Sequence, residues 1–345
     1  MGESPSLHTY LGEVKRSDLY RAAIVATIES LSRAAAELSR IVAAGPLVGI
    51  AGEVSGVNPD GDDQKDIDLA ADRVMRAALR KAPVAAILSE ESEFPEELDR
   101  DASLCVAIDP LDGSANLENN ISVGTIFSIR PRGRDNISTF FEPGSIQCGA
   151  GFFIYGPQTA LVLALDERVD FFILDRETHE FFLSRRGVRI PPDTPEFAIN
   201  SSNRRYWSGA VRAYIDDCTA GADGGRGENF NMRWIGSLVA EAYRILVRGG
   251  VFLYPADARP AYREGRLRLV YEAHPVALIM EWAGGAASNG HRRILELSAR
   301  ALHERVPLIT GCQRAVREIE SFHQGVEPLF EGGDAPLFTR RGLFR

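Results

Sequence analysis

Acidic residues in this 345-residue chain gather where short apolar runs end. Val84-Ala-Ala-Ile-Leu88 leads into Ser89-Glu90-Glu91, and Leu104-Cys-Val-Ala-Ile108 leads into Asp109 and Asp112. Apolar runs of this length are buried-strand candidates, and α/β proteins place their sites along the edge where such strands end. Several ionised carboxylates on one edge repel each other. Each like-charged pair at ~4 Å costs about 4 kcal/mol at an effective dielectric of 20. Divalent cations relieve that repulsion, and an all-oxygen donor set selects Mg²⁺, Mn²⁺ or Ca²⁺ over zinc. Because Mg²⁺ takes few carboxylates per ion, this many acids implies two or three ions.

A lone strand-end acid is ordinarily a solvated loop charge, but Asp109-Pro110-Leu111-Asp112-Gly113-Ser114 is denser than that reading explains. Pro110 fixes a turn directly after the strand, so both aspartates address one ion. Gly113 lets the backbone approach a ligand without Cβ interference. The N–H groups of Gly113, Ser114 and Ala115, at an emerging helix start, make an anion cradle. Metal ligands beside an anion nest are phosphoryl-transfer equipment. The chain has neither a Walker-type phosphate loop nor a kinase-type glycine loop, which argues against a nucleotide kinase.

The elements that must hold these residues are legible in outline. Ile24, Ile28, Leu31, Ala35, Leu38 and Ile41 recur at helical spacing within 18–44, stopped by Gly45-Pro46. A second helix is expected from Ile67 to Arg80, with Asp68 and Asp72 four apart on one face. GVNPDGDD (56–63) is turn chemistry. Strand-like runs between 123 and 183 predict a largely antiparallel sheet, in which the adjacent pairs Phe152-Phe153 and Phe171-Phe172 alternate faces. RRGVRIPPDTP (185–195) marks the best domain boundary. Beyond it come a helix at 237–247 with a Ser cap, strands VFLY (251–254) and RLRLVY (266–271), and a helix beginning at Pro275. His274, a lone histidine beside that helix start, reads as a cap or core residue.

DPLDGSANLENNISVGTIFSI (109–129) resembles the signature of class I fructose-1,6-bisphosphatases. Its Asp-Pro-Leu-Asp-Gly core is shared with the wider magnesium-dependent, lithium-sensitive sugar and inositol phosphatases. The likeness continues through KDIDLAADRV (65–74), LSEESE (88–93), MRWIGSLVAEAYRILVRGGVFLYP (232–255) and GRLRLVYEAHPVALIMEWAGGAAS (265–288), spanning roughly residues 18–325. It implies a layered α/β fold with alternating helix and mixed-sheet layers. Residues 1–190 would form an N-terminal α+β domain, 191–330 a C-terminal α/β domain, and 331–345 a tail.

By the same resemblance, Glu90, Asp109, Asp112 and Glu272 ligate Mg²⁺, with Mn²⁺ as a substitute and the Leu111 carbonyl as a main-chain ligand. Asp68 and Glu91 orient or deprotonate the attacking water, which displaces the phosphate in line without a phosphoenzyme. Gly113, Ser114 and Ala115, with Asp112 and Arg268 beside them, hold the 1-phosphate end of a sugar bisphosphate. Asn200, Arg233, Trp234, Tyr254 and Arg266 hold the distal phosphate. The implied assembly is a homotetramer in which the residue matching Arg233 reaches into a neighbouring subunit's site.

The chain also departs from animal members of that family. Ala115 replaces a serine, Trp234 and Arg266 replace Tyr and Lys, and Asn203 replaces a phosphate-binding Tyr. Ser103-Leu104 and Pro131 stand where animal members bind inhibitory AMP, so inhibition of that type is expected to be weak or absent. Only Cys148 lies between 130 and 150, which argues against a chloroplast-type redox switch. The distal-pocket changes leave sedoheptulose 1,7-bisphosphate as an alternative substrate. A catalytically inactive metabolite-binding regulator is the alternative from another class, although every expected acid is present.

Composition is that of a globular chain: 45% hydrophobic and 25% charged residues, with a net charge of −9 and no basic stripe for nucleic acid. No apolar stretch is long enough for a membrane helix. Four scattered cysteines form neither a disulfide lattice nor a zinc ribbon, and the cytoplasm is the expected compartment.

Overall fold

The computed structural model describes residues 4–13, 19–48, 54–57 and 63–325. The tail expected at 331–345 and the middle of the turn-rich segment 56–63 lie outside them. Val54–Val57 (β1) and Asp63–Lys65 (β2) pair as an antiparallel hairpin. Eight strands then build the larger sheet: Ala86–Ser89 (β3), Glu96–Glu97 (β4), Leu104–Asp112 (β5), Val123–Pro131 (β6), Gly149–Tyr155 (β7), Thr159–Leu165 (β8), Arg168–Leu174 (β9) and Phe181–Arg185 (β10). Their spatial order is β10-β9-β8-β7-β6-β5-β3-β4. Consecutive strands from β5 to β10 run antiparallel, while β3 and β5 are parallel neighbours, so their C-terminal ends lie side by side.

A smaller sheet follows from Glu196–Ala198 (β11), Asn231–Met232 (β12), Val251–Tyr254 (β13), Ala286–Ser288 (β15) and Leu308–Gly311 (β17), in the order β12-β11-β13-β17-β15. Leu267–Arg268 (β14) and Arg305–Val306 (β16) form a separate two-stranded ribbon. The helices are Leu7–Glu13 (α1), Leu19–Ala44 (α2), Asp66–Leu79 (α3), Ser138–Phe141 (α4), Gly209–Ala220 (α5), Leu238–Arg248 (α6), His274–Trp282 (α7) and Gln313–His323 (α8).

Strand alternation sorts the side chains into layers. Leu104, Val106, Ile108, Phe153 and Phe172 face α1, α2 and α3. Cys105, Ala107, Phe152 and Phe171 share the opposite core with α6 and α7. Each adjacent phenylalanine pair therefore feeds both helix layers, and all four rings are buried. Val251, Leu253 and Ile309 of the smaller sheet pack with α5 and α8. The result is five layers, helices alternating with two mixed sheets, which is the layered α/β arrangement expected from sequence. No helix of the described residues is long and apolar enough to cross a membrane.

Two elements differ from the sequence expectation. Pro110 does not turn the chain after a strand: β5 runs on through Pro110 to Asp112, with a register shift between Asp109 and Asp112 against β6. Proline lacks a ladder N–H, and a bulge is where an edge or interior strand tolerates it. The Pro110 carbonyl is instead taken by the Thr125 hydroxyl at 2.7 Å, which also contacts the Tyr155 hydroxyl at 2.8 Å. RLRLVY is strand only at 267–268; Leu269–Ala273 coils as a π-helix straight into α7. Wide turns of that kind re-aim side chains at functional sites, and this one carries Glu272 into the interior.

Gly124, opposite Asp112 on β6, lets α6 pack directly onto the sheet. A Cβ there would lie 2.2 Å from the Phe153 carbonyl oxygen and 2.8 Å from the Val239 side chain. Gly124→Ala is expected to lower stability by ~3 kcal/mol through backbone displacement. Urea unfolding measures it; an unchanged midpoint would contradict the close approach.

Candidate active site

The carboxylates converge because three separate elements end at one place. β3 and β5 deliver Glu90 and Asp109 side by side, the Glu90 N–H bonding the Ile108 carbonyl at 3.1 Å. The bulge after Asp109 then brings Asp112 back to the same side, and the π-helix supplies Glu272. Ligand atoms of Asp109, Asp112 and Glu272 lie within 4.8 Å of one another, and all three residues are buried. Burial pushes Asp109 well above the ordinary carboxylate range, and the charges of Glu90, Asp112 and Glu272 push it further. Glu272 rises in the same way, chiefly from burial and then from Glu90 and Asp112, with Arg268 opposing.

Asp112 is treated differently by its surroundings. Burial lifts it to about 6, while the backbone N–H groups of Val239 and Leu238, at the start of α6, pull it down. The Val239 N–H donates to Asp112 Oδ2 at 3.1 Å, so this carboxylate lies on a helix N-terminus. Ser237 caps that helix, accepting from the Ala240 N–H. Asn116 ties the turn after Gly113 to the same loop by donating to the Gly236 carbonyl at 2.8 Å. Gly113 itself holds φ 76°, a left-handed conformation open to glycine, and begins the 3₁₀ turn Ser114–Asn119.

Asp68 is buried on the first turn of α3, and one turn later Asp72 accepts a hydrogen bond from the Ser89 hydroxyl at 2.6 Å. The Glu91 N–H reaches the same hydroxyl at 3.3 Å. Arg76 holds Ser92 at 3.0 Å and Glu96 at 2.6 Å, clamping the segment that carries Glu90 and Glu91 to α3. Asp72 and Arg76 are therefore supports that the sequence did not single out, although the shared face of Asp68 and Asp72 was visible.

Across from the acids, a pocket of about 210 Å³ is lined by Asp112, Gly113, Trp234, Ser237, Tyr254 and Arg266, among others. Trp234 stacks on Phe252 at 5.9 Å and meets Tyr254 edge-on at 5.8 Å. Arg266 donates to the Tyr254 hydroxyl at 3.4 Å and lies 3.6 Å over the Tyr262 ring. Tyr262 was not flagged by sequence; nothing in its neighbourhood marks an aromatic seat for that arginine. Arg268 lies at the carboxylates, 3.9 Å from Glu90, and its N–H bonds Glu272. Asn200 and Arg233 do not line this pocket: Asn200 caps the turn at Ser201–Tyr206, and Arg233, half exposed, rests 3.6 Å from Glu196.

Behind Glu272 the packing is polar and closed. The fully buried Arg130 donates to His274 Nδ1 at 2.7 Å, which leaves Nε2 to donate to the Leu297 carbonyl at 3.1 Å. Burial and the Arg130 charge hold His274 well below its ordinary value, so the ring is neutral. It braces the start of α7 and takes no place in the pocket.

A layered α/β chain that gathers acids at adjoining strand ends, beside a glycine turn, falls in the sugar-phosphatase class. Comparison with known proteins narrows this. The family described as "Fructose-1-6-bisphosphatase, N-terminal domain" matches residues 10–186, and its C-terminal counterpart matches residues 190–324. A Bradyrhizobium sp. (strain ORS 278) protein named fructose-1,6-bisphosphatase class 1 is 69% identical over 93% of this chain and 90% of its own length. A second, from Bradyrhizobium sp. (strain BTAi1 / ATCC BAA-1182), is 66% identical over 100% of this chain and 98% of its own. The crystal structure of Leishmania major fructose-1,6-bisphosphatase in holo form superposes with a TM-score of 0.87 at 29% identity, covering 93% of this chain and 99% of that one. The chain belongs to the class 1 fructose-1,6-bisphosphatase family.

The raised carboxylates fix the sign of a pH effect. Groups whose pKa is higher folded than unfolded bind more protons in the native state, so stability falls as pH climbs past the unfolded value near 4 and through the folded one. For Asp112 that window closes at about 6, and Asp109 and Glu272 extend it upward. Chelator-treated protein is expected to melt at lower temperature at pH 7.5 than at pH 5. Saturating Mg²⁺ or Mn²⁺ should restore about 5 °C, with a larger gain at the higher pH. Melting curves that ignore both pH and cation would contradict the buried-acid reading.

Proposed function

We propose that this chain removes the 1-phosphate of D-fructose 1,6-bisphosphate, leaving fructose 6-phosphate and inorganic phosphate. The observation that carries the reading is the cluster of Asp109, Asp112 and Glu272, buried together within 4.8 Å, whose Asp112 lines a pocket that holds Arg266 and Tyr254. The names of the relatives add weight to the same substrate. Neither the seven-carbon bisphosphate nor an inactive regulator is favoured.

The donor set fits hard divalent cations: oxygen only, buried, and destabilised by its own charge. Glu90, Asp109, Asp112, Glu272 and the Leu111 carbonyl would hold Mg²⁺, two or three ions per site, or Mn²⁺ in its place. Bound there, the cation supplies charge neutralisation for phosphoryl oxygens and acidifies water. The chain's own residues do the rest. Glu91 and Asp68 accept the proton of the attacking water as it approaches phosphorus in line. The N–H groups of Gly113, Ser114 and Ala115 bond the phosphoryl oxygens, joined by Arg268. As the P–O bond breaks, the O1 oxygen takes its electron pair and is protonated to the sugar hydroxyl, its charge offset until then by a cation that the acids would hold. Asp112 and the N-terminus of α6 meet the sugar hydroxyls.

Trp234, Tyr254 and Arg266 seat the distal 6-phosphate, with Arg266 held in line by the Tyr262 ring. In a homotetramer the half-exposed Arg233 would reach into a neighbouring subunit's pocket, while Asn200 stays with the turn it caps. The working compartment is the cytoplasm, and residues 1–190 and 191–330 act as the two domains.

Asp112→Asn is expected to reduce kcat by more than ~100-fold while circular dichroism stays unchanged. Unaltered phosphate release would contradict the role given to this acid. Parallel kinetics on fructose 1,6-bisphosphate and sedoheptulose 1,7-bisphosphate test the substrate. The six-carbon sugar is expected to have the higher kcat/KM, and the reverse order would overturn the substrate assignment.

A further inference from the structure

A second cleft, of about 560 Å³, shares no lining residue with the catalytic pocket. Its floor is apolar, formed by Val211, Leu269, Leu297, Val306 and Ile309. Its rim is basic in a chain of net charge −9. Arg263, Arg292 and Arg300 line it beside two carboxylates, Glu264 and Glu304; Arg305, which also lines it, has a partner of its own. Glu304 is committed to Arg300 at 2.6 Å, with Glu264 a further 3.8 Å from the same guanidinium. Arg263 and Arg292 have no carboxylate partner among the described residues; the Arg292 guanidinium donates to the Glu296 carbonyl at 3.4 Å.

The wall adds hydrogen-bonding groups. His291 and His323 line it with their rings 4.8 Å apart. Ser208, Ser298 and Asn289 also line the space. Guanidinium forks arriving from three segments suit phosphate oxygens, which accept bidentate donors. The volume falls in the range for a small organic ligand, and an apolar floor with hydroxyl and carboxylate groups at its edge suits a carbon frame carrying hydroxyls.

The cleft also adjoins the catalytic machinery. Arg305 on β16 is the register partner of Arg268 on β14, and Arg268 lies 3.9 Å from Glu90. The Leu269 N–H bonds the Glu304 carbonyl at 2.8 Å, at the start of the π-helix that carries Glu272. Anything that draws the rim arginines together bears on both residues through a two-residue ribbon.

We propose that this cleft is a second, non-catalytic site for a small phosphorylated, hydroxyl-bearing metabolite, coupled to catalysis through the β14–β16 ribbon. It stands on the cleft's own geometry and goes beyond the substrate reading above. The test uses glycerol 3-phosphate as probe on the full chain, with R263E/R292E and the milder R263Q/R292Q beside wild type. Calorimetric titration in chelator, which prevents turnover, should show two sites per chain in wild type. In both variants the second site should weaken about tenfold or more, as expected for lost charge-assisted bonds. With Mg²⁺ and saturating substrate, the probe should change wild-type kcat by about fivefold and leave the variants unmoved. Activity without probe should be the same in all three, because none of these arginines lines the catalytic pocket. A second site of equal affinity in wild type and variants, its absence from wild type, or a wild-type kcat indifferent to the probe, would overturn the proposal.

Discussion

Mutual repulsion among buried acids is the constraint around which this molecule is built. Asp109, Asp112 and Glu272 are buried within 4.8 Å of one another, and Glu90 adds its charge from the neighbouring strand. Left alone, such a group either takes up protons or gathers cations. Local donors offset part of the strain unequally. The α6 N-terminus addresses Asp112, and Arg268 addresses Glu272 and Glu90. That inequality separates the acids by role before any ligand arrives.

Each departure from regular structure near the site serves that convergence. A bulged strand places two aspartates on one side, and a wide helical turn brings a glutamate to meet them. Thr125 and Tyr155 support the first; Arg130 and His274 brace the second. Asp72, Ser89 and Arg76 lock the segment holding Glu90 and Glu91 to α3. Since these supports come from the larger sheet, α3 and α7, no single layer carries the site. One apolar core joins residues on both sides of position 190, from Ala85 to Cys312, and rigidity there limits how far the acids can separate.

Much of this was legible in the residues. Apolar runs ending in acids marked β3 and β5, because a fully buried strand must be apolar until it reaches the edge. Helical spacing located α2 and α3, and the serine before Leu238 marked a capped helix. What sequence misjudged were the places where tertiary demands overrode local preference. A proline read as a turn sits in a strand because a bulge frees it from the ladder. The alternating Arg-Leu run read as strand leaves the ladder after Arg268 and coils, which carries Glu272 inward. Asp72, Tyr262 and the Arg130–His274 pair have no motif of their own. Their roles arise from contacts between segments distant in the chain, which spacing along one segment does not encode.

The cation-trapping role of the acids is tested most directly by counting protons released when metal binds. Titration of Mn²⁺ into metal-free protein at pH 6.5, repeated in buffers of different ionisation enthalpy, gives that number. Carboxylates held above their ordinary range must shed their protons to ligate, so about one proton or more should leave per chain. Metal uptake with no proton release, or no saturable uptake, would contradict the account.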